Sequence, residues 1–201
     1  MKLLFATTNK AKSQRFNKGL EKENIEIVTL SDLNIDIDVE ENGESATQNA
    51  LIKARAYAKL VDMPVMAMDD ALYIENIPED KQPGMYVRRV GGKRLTDQEM
   101  IEYYTNLATE NGDNGRLTAK WIYGLAIIKD NKEYTYTWNK ENFYIVDKPH
   151  HIVKEGYPLY SISINKKLNK YFPEITEEDK ILINEDESNV VEFISNTLKG
   201  N

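Results

Sequence analysis

Apolar and polar positions follow two periods along the first half of the chain, one typical of strands and one of helices. Short apolar or alternating runs predict strands at residues 2–6, 25–30 and 65–68. Helical spacing predicts helices at residues 10–23 and 45–60, the second with Ser45 or Thr47 as its N-cap. Strands that alternate with helices indicate an α/β fold.

The second half has a different pattern, in which strands follow one another directly. Thr96 and Glu99 have the spacing of a capping box and predict a helix at 96–107, after a Pro-, Gly- and Arg-rich loop at 78–94. Strands are predicted at 116–129, 133–146 and 156–164, followed by a short acidic turn or helix at 173–180. A last helix is predicted at 188–198, with Ser188 as its cap and Gly200 beyond its end. Together the two halves predict an α/β protein with a mixed sheet.

Composition narrows the class of protein. With 201 residues, of which 41% are hydrophobic and 29% charged, the chain is long enough for one large domain or two intimate lobes. It contains no cysteine, which excludes disulfides and cysteine nucleophiles and favours a reducing, cytoplasmic compartment. No apolar run approaches the ~20 residues of a membrane span, and the net charge of −7 argues against nucleic-acid or anionic-membrane partners.

Two adjacent carboxylates, Asp69 and Asp70, end the apolar run at 65–68. Buried acids are costly unless their charge is offset, and neighbouring side chains on a strand point to opposite faces. We therefore expect one acid to face a cleft and the other to be held by backbone amides or a lysine. The alternative interpretation is a polar turn that only closes the strand.

The loop after the first strand and the acidic loop before the second helix have the chemistry of a phosphate and metal site. Residues 7–12 would expose backbone N–H groups at a helix N-terminus, with Lys12 reaching a phosphate. Carboxylates such as Glu40 and Glu41 suit Mg²⁺, which takes one or two of them together with substrate phosphates. The alternatives are a capped surface helix and a solvated acidic loop.

Two further segments place positive charge where it could meet the acids or a phosphate. Asn49 and Lys53 share a helix face, and Lys53 could neutralise Asp69 or Asp70. Pro83 and Gly84 predict a tight turn that presents an aromatic ring and two arginines, and arginine suits bidentate phosphate contact. A surface lysine and a basic surface loop are the alternatives.

In order and spacing, these motifs resemble the inosine triphosphate pyrophosphatase family over about the first half of the chain. The family pattern A-T-G-N-x-x-K, then E-E-T-G, then E-N-A-x-x-K-A, is matched by A-T-T-N-K-A-K at 6–12, E-E-N-G at 40–43 and Q-N-A-L-I-K-A at 48–54. A-D-D-S-G-L and P-G-x-Y-S-A-R are matched by M-D-D-A-L at 68–72 and P-G-M-Y-V-R-R at 83–89, and T-D by residues 96–97.

The resemblance implies a fold, an activity and a set of site residues. The fold would be an elongated mixed sheet flanked by helices, with 1–201 as a single domain of two lobes around a central cleft. The activity would be Mg²⁺-dependent hydrolysis of non-canonical purine nucleoside triphosphates such as ITP, XTP and dITP to monophosphate and pyrophosphate, by a homodimer. Asp70, Lys12 and Lys53 would be catalytic, and Glu41 and Asp70 would bind the metal. Substrate would be bound by Thr7, Thr8, Asn9, Lys12, Ala71, Arg89, Tyr157 and Lys180.

The sequence also departs from the family pattern. Thr8 replaces a glycine, Ala71 replaces a Ser-Gly pair, and Gln48 replaces a glutamate. The family's F-G-Y-D-P and S-H-R motifs, which read the base, correspond at best to residues 155–160 and to the acidic segment 183–187. Two alternatives follow: a non-catalytic nucleotide-binding or regulatory homologue, and a pyrophosphatase with a changed base preference.

Overall fold

The computed structural model describes residues 1–9, 12, 14–183 and 187–200 and has a mixed α/β architecture. The strands are β1 (Lys2–Phe5), β2 (Glu26–Thr29), β3 (Val65–Ile74), β4 (Arg89–Val90), β5 (Lys93–Arg94), β6 (Arg116–Lys129), β7 (Lys132–Val146), β8 (Ser163–Asn165) and β9 (Lys170–Tyr171). The helices are α1 (Asn17–Lys22), α2 (Ala46–Ala58), α3 (Asp97–Asn111), α4 (Glu177–Ile183) and α5 (Ser188–Lys199).

Seven of these strands form one sheet in the order β2-β1-β3-β6-β7-β8-β9, and β4 and β5 form a separate hairpin. Strand β1 runs parallel to both β2 and β3, whereas β8 is antiparallel to β7 and β9. Parallel and antiparallel pairs therefore occur in the same sheet. The prediction of a large mixed sheet flanked by helices is confirmed.

The chain divides into two compact units, each made of separate segments. The first contains Met1–Asp70, Tyr123–Trp138 and Glu187–Asn201, and the second contains Ala71–Ile122 and Asn139–Asp186. The first unit buries a cluster of small and aliphatic side chains around α2, formed by Leu4, Ala6, Leu30, Ala50, Ala54, Tyr57, Val65, Ala67 and Ala126. Alanines on the buried face of α2 let the helix backbone lie close to the strands it covers.

The second unit has its own core around α3. Its largest members include Leu72, Ile74, Met100, Tyr104, Leu117, Phe143, Ile145 and Ile162. The buried hydroxyl of Tyr104 donates a hydrogen bond of 2.9 Å to the carbonyl oxygen of Val87, so it fixes the loop before β4 to this helix. The prediction of a single domain made of two lobes stays a prediction.

The helix caps predicted from sequence are confirmed at α2 and α3. Ser45 accepts a hydrogen bond from the N–H of Gln48, and Thr96 and Glu99 form a complete capping box. Each cap satisfies N–H groups that have no partner inside the helix, which explains why both helices begin where they do.

Three predicted elements differ in the structure. Of the helix predicted at 10–23, Lys12 and Gln14 and then Asn17–Lys22 are helical, with a turn at 15–16 between them, and residues 10, 11 and 13 lie outside the described part of the chain. The strand predicted at 156–164 is mostly a 3₁₀ helix, Pro158–Ile162, because proline fixes its first turn and serine hydroxyls donate to carbonyls within it. Ser188 is the first residue of α5, and Glu187 occupies the cap position.

Among the described residues, no helix is long and apolar enough to cross a membrane.

Candidate active site

The Asp pair and the loop after β1 lie side by side because β1 and β3 are parallel neighbours. Phe5 pairs with Met66, and the N–H of Ala6 donates to the carbonyl oxygen of Met66 at 2.7 Å. The residues after Phe5, where β1 ends, therefore lie beside the residues that follow Met66 within β3. Strand β3 continues through Asp69 and Asp70 to Ile74, so the acids lie inside the strand and do not close it, contrary to the expectation from sequence. Loops at the carboxyl ends of parallel strands are the usual position of a ligand site in an α/β sheet.

Lys12 and Asp70 form an ion pair in this first unit. The ammonium group of Lys12 contacts Oδ1 of Asp70, and the two side chains are only 15% and 20% exposed. The turn that holds Lys12 is shaped by its own side chains, since the N–H of Asn9 donates to Thr7 Oγ1 at 3.2 Å and the N–H of Lys12 donates to Asn9 Oδ1 at 3.3 Å. Thr8 is exposed at the tip.

Asp69 is held from the other side by two residues of α2. Lys53 Nζ lies 3.4 Å from Oδ1 of Asp69, and the side-chain amide of Asn49 donates to Oδ2 at 3.0 Å. The Asp69 side chain is 13% exposed, and burial raises its pKa above the ordinary value, an effect that Lys53 and Lys12 oppose. The sequence predicted a lysine or backbone partner for one acid of the pair. In the structure both acids contact a lysine, Asp69 through Lys53 and Asp70 through Lys12.

Glu41 joins the same group of residues through Lys53. Its Oε2 lies 3.0 Å from Lys53 Nζ, so one ammonium group lies between the carboxylates of Glu41 and Asp69. The acidic loop has a second attachment, because the N–H of Gly43 donates to Oδ1 of Asn49 at 2.8 Å. Asn49 lies in the Q-N-A-L-I-K-A motif and shares a helix face with Lys53, but neither feature predicts its contacts with Gly43 and Asp69.

The donors in this group suit a magnesium ion. No three His, Cys, Asp or Glu side chains cluster as a metal site within residues 1–9, 12, 14–183 and 187–200. A cation bound by Glu41 and Asp70 would therefore obtain its remaining ligands from water or phosphate, which is the arrangement Mg²⁺ commonly has. Two hard carboxylate oxygens with lysines nearby fit a metal that arrives together with a polyphosphate.

Arg15 is a residue that the sequence did not single out. Its guanidinium group lies 4.3 Å from the ring centre of Tyr123, and its Nε lies 2.8 Å and 2.9 Å from the two carboxylate oxygens of Glu187. Burial raises the pKa of Tyr123, and the negative charge of Asp70 acts in the same direction. The N–H of Arg15 also donates to the carbonyl oxygen of Lys12 at 3.0 Å. Arg15 thus connects the Lys12 turn to an aromatic cluster.

The remaining predicted substrate residues belong to the second unit. Ala71 is buried directly after Asp70, and Lys180 pairs with Glu177 at 2.6 Å. The ring centre of Tyr157 lies 5.0 Å from the ammonium group of Lys154. Arg89 is exposed and lines a groove of about 420 Å³. Their roles in substrate binding stay predictions.

The acidic segment at 183–187, expected in place of the S-H-R motif, is only partly described. Ile183 ends α4 and Glu187 pairs with Arg15, whereas residues 184–186 lie outside the described part of the chain.

Fold and geometry together define an α/β protein whose candidate site combines the paired acids in the middle of β3 with lysines from α2 and from the loop after β1. A family model described as the Ham1 family matches residues 3–190. The chain belongs to this family, which confirms the relationship expected from the motifs.

Comparison with known proteins agrees over nearly the whole chain. A protein named dITP/XTP pyrophosphatase from Thermoanaerobacter sp. (strain X514) is 31% identical over 180 residues, which cover 90% of this chain and 88% of that protein. A protein of the same name from Bacillus subtilis (strain 168) is 29% identical over 178 residues, which cover 88% and 87%. The structure of the Staphylococcus aureus Ham1 protein has the same fold, with a TM-score of 0.72, 22% identity and coverage of 100% and 99%.

Proposed function

We propose that this protein is a nucleoside triphosphate pyrophosphohydrolase that converts non-canonical purine nucleoside triphosphates, of the dITP and XTP class, to monophosphate and pyrophosphate. One observation supports the proposal above the others: Lys12 contacts Asp70 and Lys53 lies between Glu41 and Asp69, all within one compact unit. Relatives that match about nine-tenths of the chain are named for this activity.

In the proposed reaction a water oxygen bonds to the α-phosphorus while the bond from that phosphorus to the α–β bridging oxygen breaks. Asp70 accepts the proton of the attacking water, and pyrophosphate leaves. Lys12 holds positive charge beside Asp70 and beside the loop at residues 7–9, where the triphosphate would lie. A positioned general base contributes typically 10²–10⁴-fold to such a rate, and cations neutralise the charge of the phosphates.

Magnesium is the metal that we propose for this site. Glu41 and Asp70 would hold it, and the bound ion would neutralise phosphate charge and orient the reacting groups. Lys53 keeps Glu41 next to Asp69 through contacts of 3.0 Å and 3.4 Å. By resemblance to the family, we also propose a cytoplasmic homodimer, with Arg89, Tyr157 and Lys180 among the substrate contacts.

Pyrophosphate release over a panel of canonical and non-canonical triphosphates, with Mg²⁺ present, tests the activity. The wild type should release pyrophosphate fastest from dITP and XTP, and Asp70→Asn should lower kcat by at least about 10²-fold. Asp62→Asn is the matched control, because Asp62 is exposed just before β3.

Each other outcome of this panel identifies an alternative function. Turnover of a different nucleotide would indicate a changed base preference. Nucleotide binding by the wild type without pyrophosphate release from any triphosphate would contradict the proposal and support a non-catalytic homologue.

A further inference from the structure

Asn49 uses both ends of its side-chain amide to join two parts of the candidate site. Its Oδ1 accepts a hydrogen bond of 2.8 Å from the N–H of Gly43, and its Nδ2 donates one of 3.0 Å to Oδ2 of Asp69. The residue is only 3% exposed. Buried polar groups are stable only when they are hydrogen-bonded, so these two contacts fix the orientation of the amide.

The acidic loop approaches α2 too closely for any side chain at position 43. A Cβ on Gly43 would lie 2.8 Å from Asn49 Oδ1 and 2.8 Å from the Cβ of Gln48. Real Cβ atoms do not approach other atoms so closely, so the glycine is required for the loop to dock on the helix. Glu41 is two residues away, and its position therefore depends on this contact.

Lys53 makes a parallel connection one helical turn further along α2. It contacts Oδ1 of Asp69, whereas Asn49 contacts Oδ2, and both connect Asp69 to the acidic loop. Because residues i and i+4 share a helix face, one face of α2 sets the positions of Asp69 and of the Glu41 loop together. Both oxygens of Asp69 are occupied by these contacts, whereas Asp70 faces Lys12.

We propose that Asn49 is a positioning residue that holds the Glu41 loop at a fixed distance from the Asp pair, so that a divalent cation and its polyphosphate meet preformed ligands. This role rests on the proposed function. Asp69 is the anchor of the arrangement rather than the base. Groups behind metal ligands typically change metal affinity or activity 10–100-fold when they are removed.

The test compares Asn49→Ser with a matched control, Gln48→Ala. Gln48 is the neighbouring residue and accepts a similar hydrogen bond of 2.7 Å from the N–H of Glu44, but that contact is exposed. We expect Asn49→Ser to raise the Mg²⁺ concentration for half-maximal activity about 10–100-fold, with a smaller change in nucleotide KM. Gln48→Ala should leave both within about twofold of the wild type, because its contact with the loop is exposed and water can replace it.

A reciprocal exchange separates positioning from a purely structural role. In Asn49→Asp with Asp69→Asn, position 49 still accepts from Gly43, and the hydrogen bond between positions 49 and 69 is kept with the donor reversed. Net charge is unchanged. We expect Asn49→Asp alone to raise the Mg²⁺ concentration for half-maximal activity, because the carboxylates at positions 49 and 69 would repel each other. The double variant should return this concentration towards the wild-type value. Equal Mg²⁺ dependence of Asn49→Ser and Gln48→Ala, or a double variant worse than both single variants, would overturn the proposal.

A readout without turnover keeps the proposal separate from the proposed function. In a calorimetric titration with Mg²⁺ alone, Asn49→Ser should bind the ion more weakly than Gln48→Ala does. If the wild type binds Mg²⁺ and Asn49→Ser does not, yet neither releases pyrophosphate, the proposed function fails and the role of Asn49 stands. If both variants bind Mg²⁺ equally well, the role of Asn49 fails.

Discussion

A Cβ atom on Gly124 would lie 2.2 Å from the backbone nitrogen of Thr47, in the first turn of α2. Helix α2 therefore rests directly on the backbone of β6, with no side chain between them. Because α2 also holds Asn49 and Lys53, the distance of this helix from the sheet sets the geometry of the candidate site.

Gly124→Ala should accordingly destabilise the protein and impair the site together. A methyl group there meets backbone atoms, which cannot rotate away, so the loss in free energy of unfolding should reach about 1–3 kcal/mol or more. Urea unfolding measures this loss, and pyrophosphate release measures kcat. Unchanged stability would mean that α2 does not lie against β6 as described.

The ion pair between Arg15 and Glu187 should couple strongly, because its side chains are only 17% and 32% exposed. Single changes to Gln should each cost about 1–3 kcal/mol, as expected when a charged hydrogen-bonded partner is lost. In a double-mutant cycle by urea unfolding, the coupling energy should exceed about 1 kcal/mol.

The pair between Arg55 and Glu133 is the matched control for that cycle. It lies in the same unit and has a contact of 2.7 Å, but its side chains are 52% and 41% exposed. Exposed pairs contribute little, so its coupling energy should be below about 1 kcal/mol. Equal coupling energies in the two pairs would show that the lower exposure of Arg15 and Glu187 does not strengthen their interaction.

The capping box of α3 should give the protein a measurable acid sensitivity. Lys93 and the backbone and hydroxyl of Thr96 lower the pKa of Glu99 from 4.5 to about 2. A carboxyl with a lowered pKa contributes stability above its unfolded pKa, and that contribution is lost as pH falls through the folded pKa. Glu99→Gln should therefore lower Tm most above pH 4.5, with the difference from wild type shrinking towards pH 2.

Glu102→Gln is the control for this effect, since Glu102 lies on the same helix and accepts a hydrogen bond of 3.0 Å from the side chain of Gln98, with no lysine partner among the described residues. Its effect on Tm should be smaller above pH 4.5. A pH-independent effect of Glu99→Gln would show that the cap acts without its charge.

The buried hydroxyl of Tyr104 should matter for stability in the second unit. Tyr104→Phe leaves the carbonyl oxygen of Val87 without this donor, which should cost about 1–3 kcal/mol in the free energy of unfolding. Tyr86→Phe is the control, because Tyr86 is 57% exposed and surface changes usually stay within about 0.5 kcal/mol. Similar urea midpoints for the two variants would contradict the proposed importance of this bond.

Local chemistry explains which elements could be predicted from sequence. Ser45, Thr96 and Glu99 act within one helical turn, so their spacing alone predicts the caps that the structure contains. The 3₁₀ turn at Pro158–Ile162 has mostly buried residues that resemble a strand in sequence. Its proline and its serine-to-carbonyl hydrogen bonds favour the turn, and neither has a sequence period.

The residues of the candidate site also differ in how far the sequence alone could identify them. Contiguous motifs single out Asp70 and Lys12 as candidates, but their contact joins residues 58 positions apart and could not be predicted from sequence. Asn49 and Arg15 were missed because their importance depends on partners distant in sequence: Gly43 and Asp69 for one, Tyr123 and Glu187 for the other. A side chain that contacts segments distant in sequence produces no periodic pattern from which its contacts could be predicted.

The first compact unit contains both the opening seventy residues and the final helix, with a third segment at Tyr123–Trp138 between them. During synthesis, chain domains usually fold as they emerge, beginning at the amino end. Here Arg15 cannot acquire its contact with Glu187, which lies 172 positions further along the chain, until that last segment has left the ribosome. The first unit should therefore complete its packing only after every segment of the second unit has been synthesised.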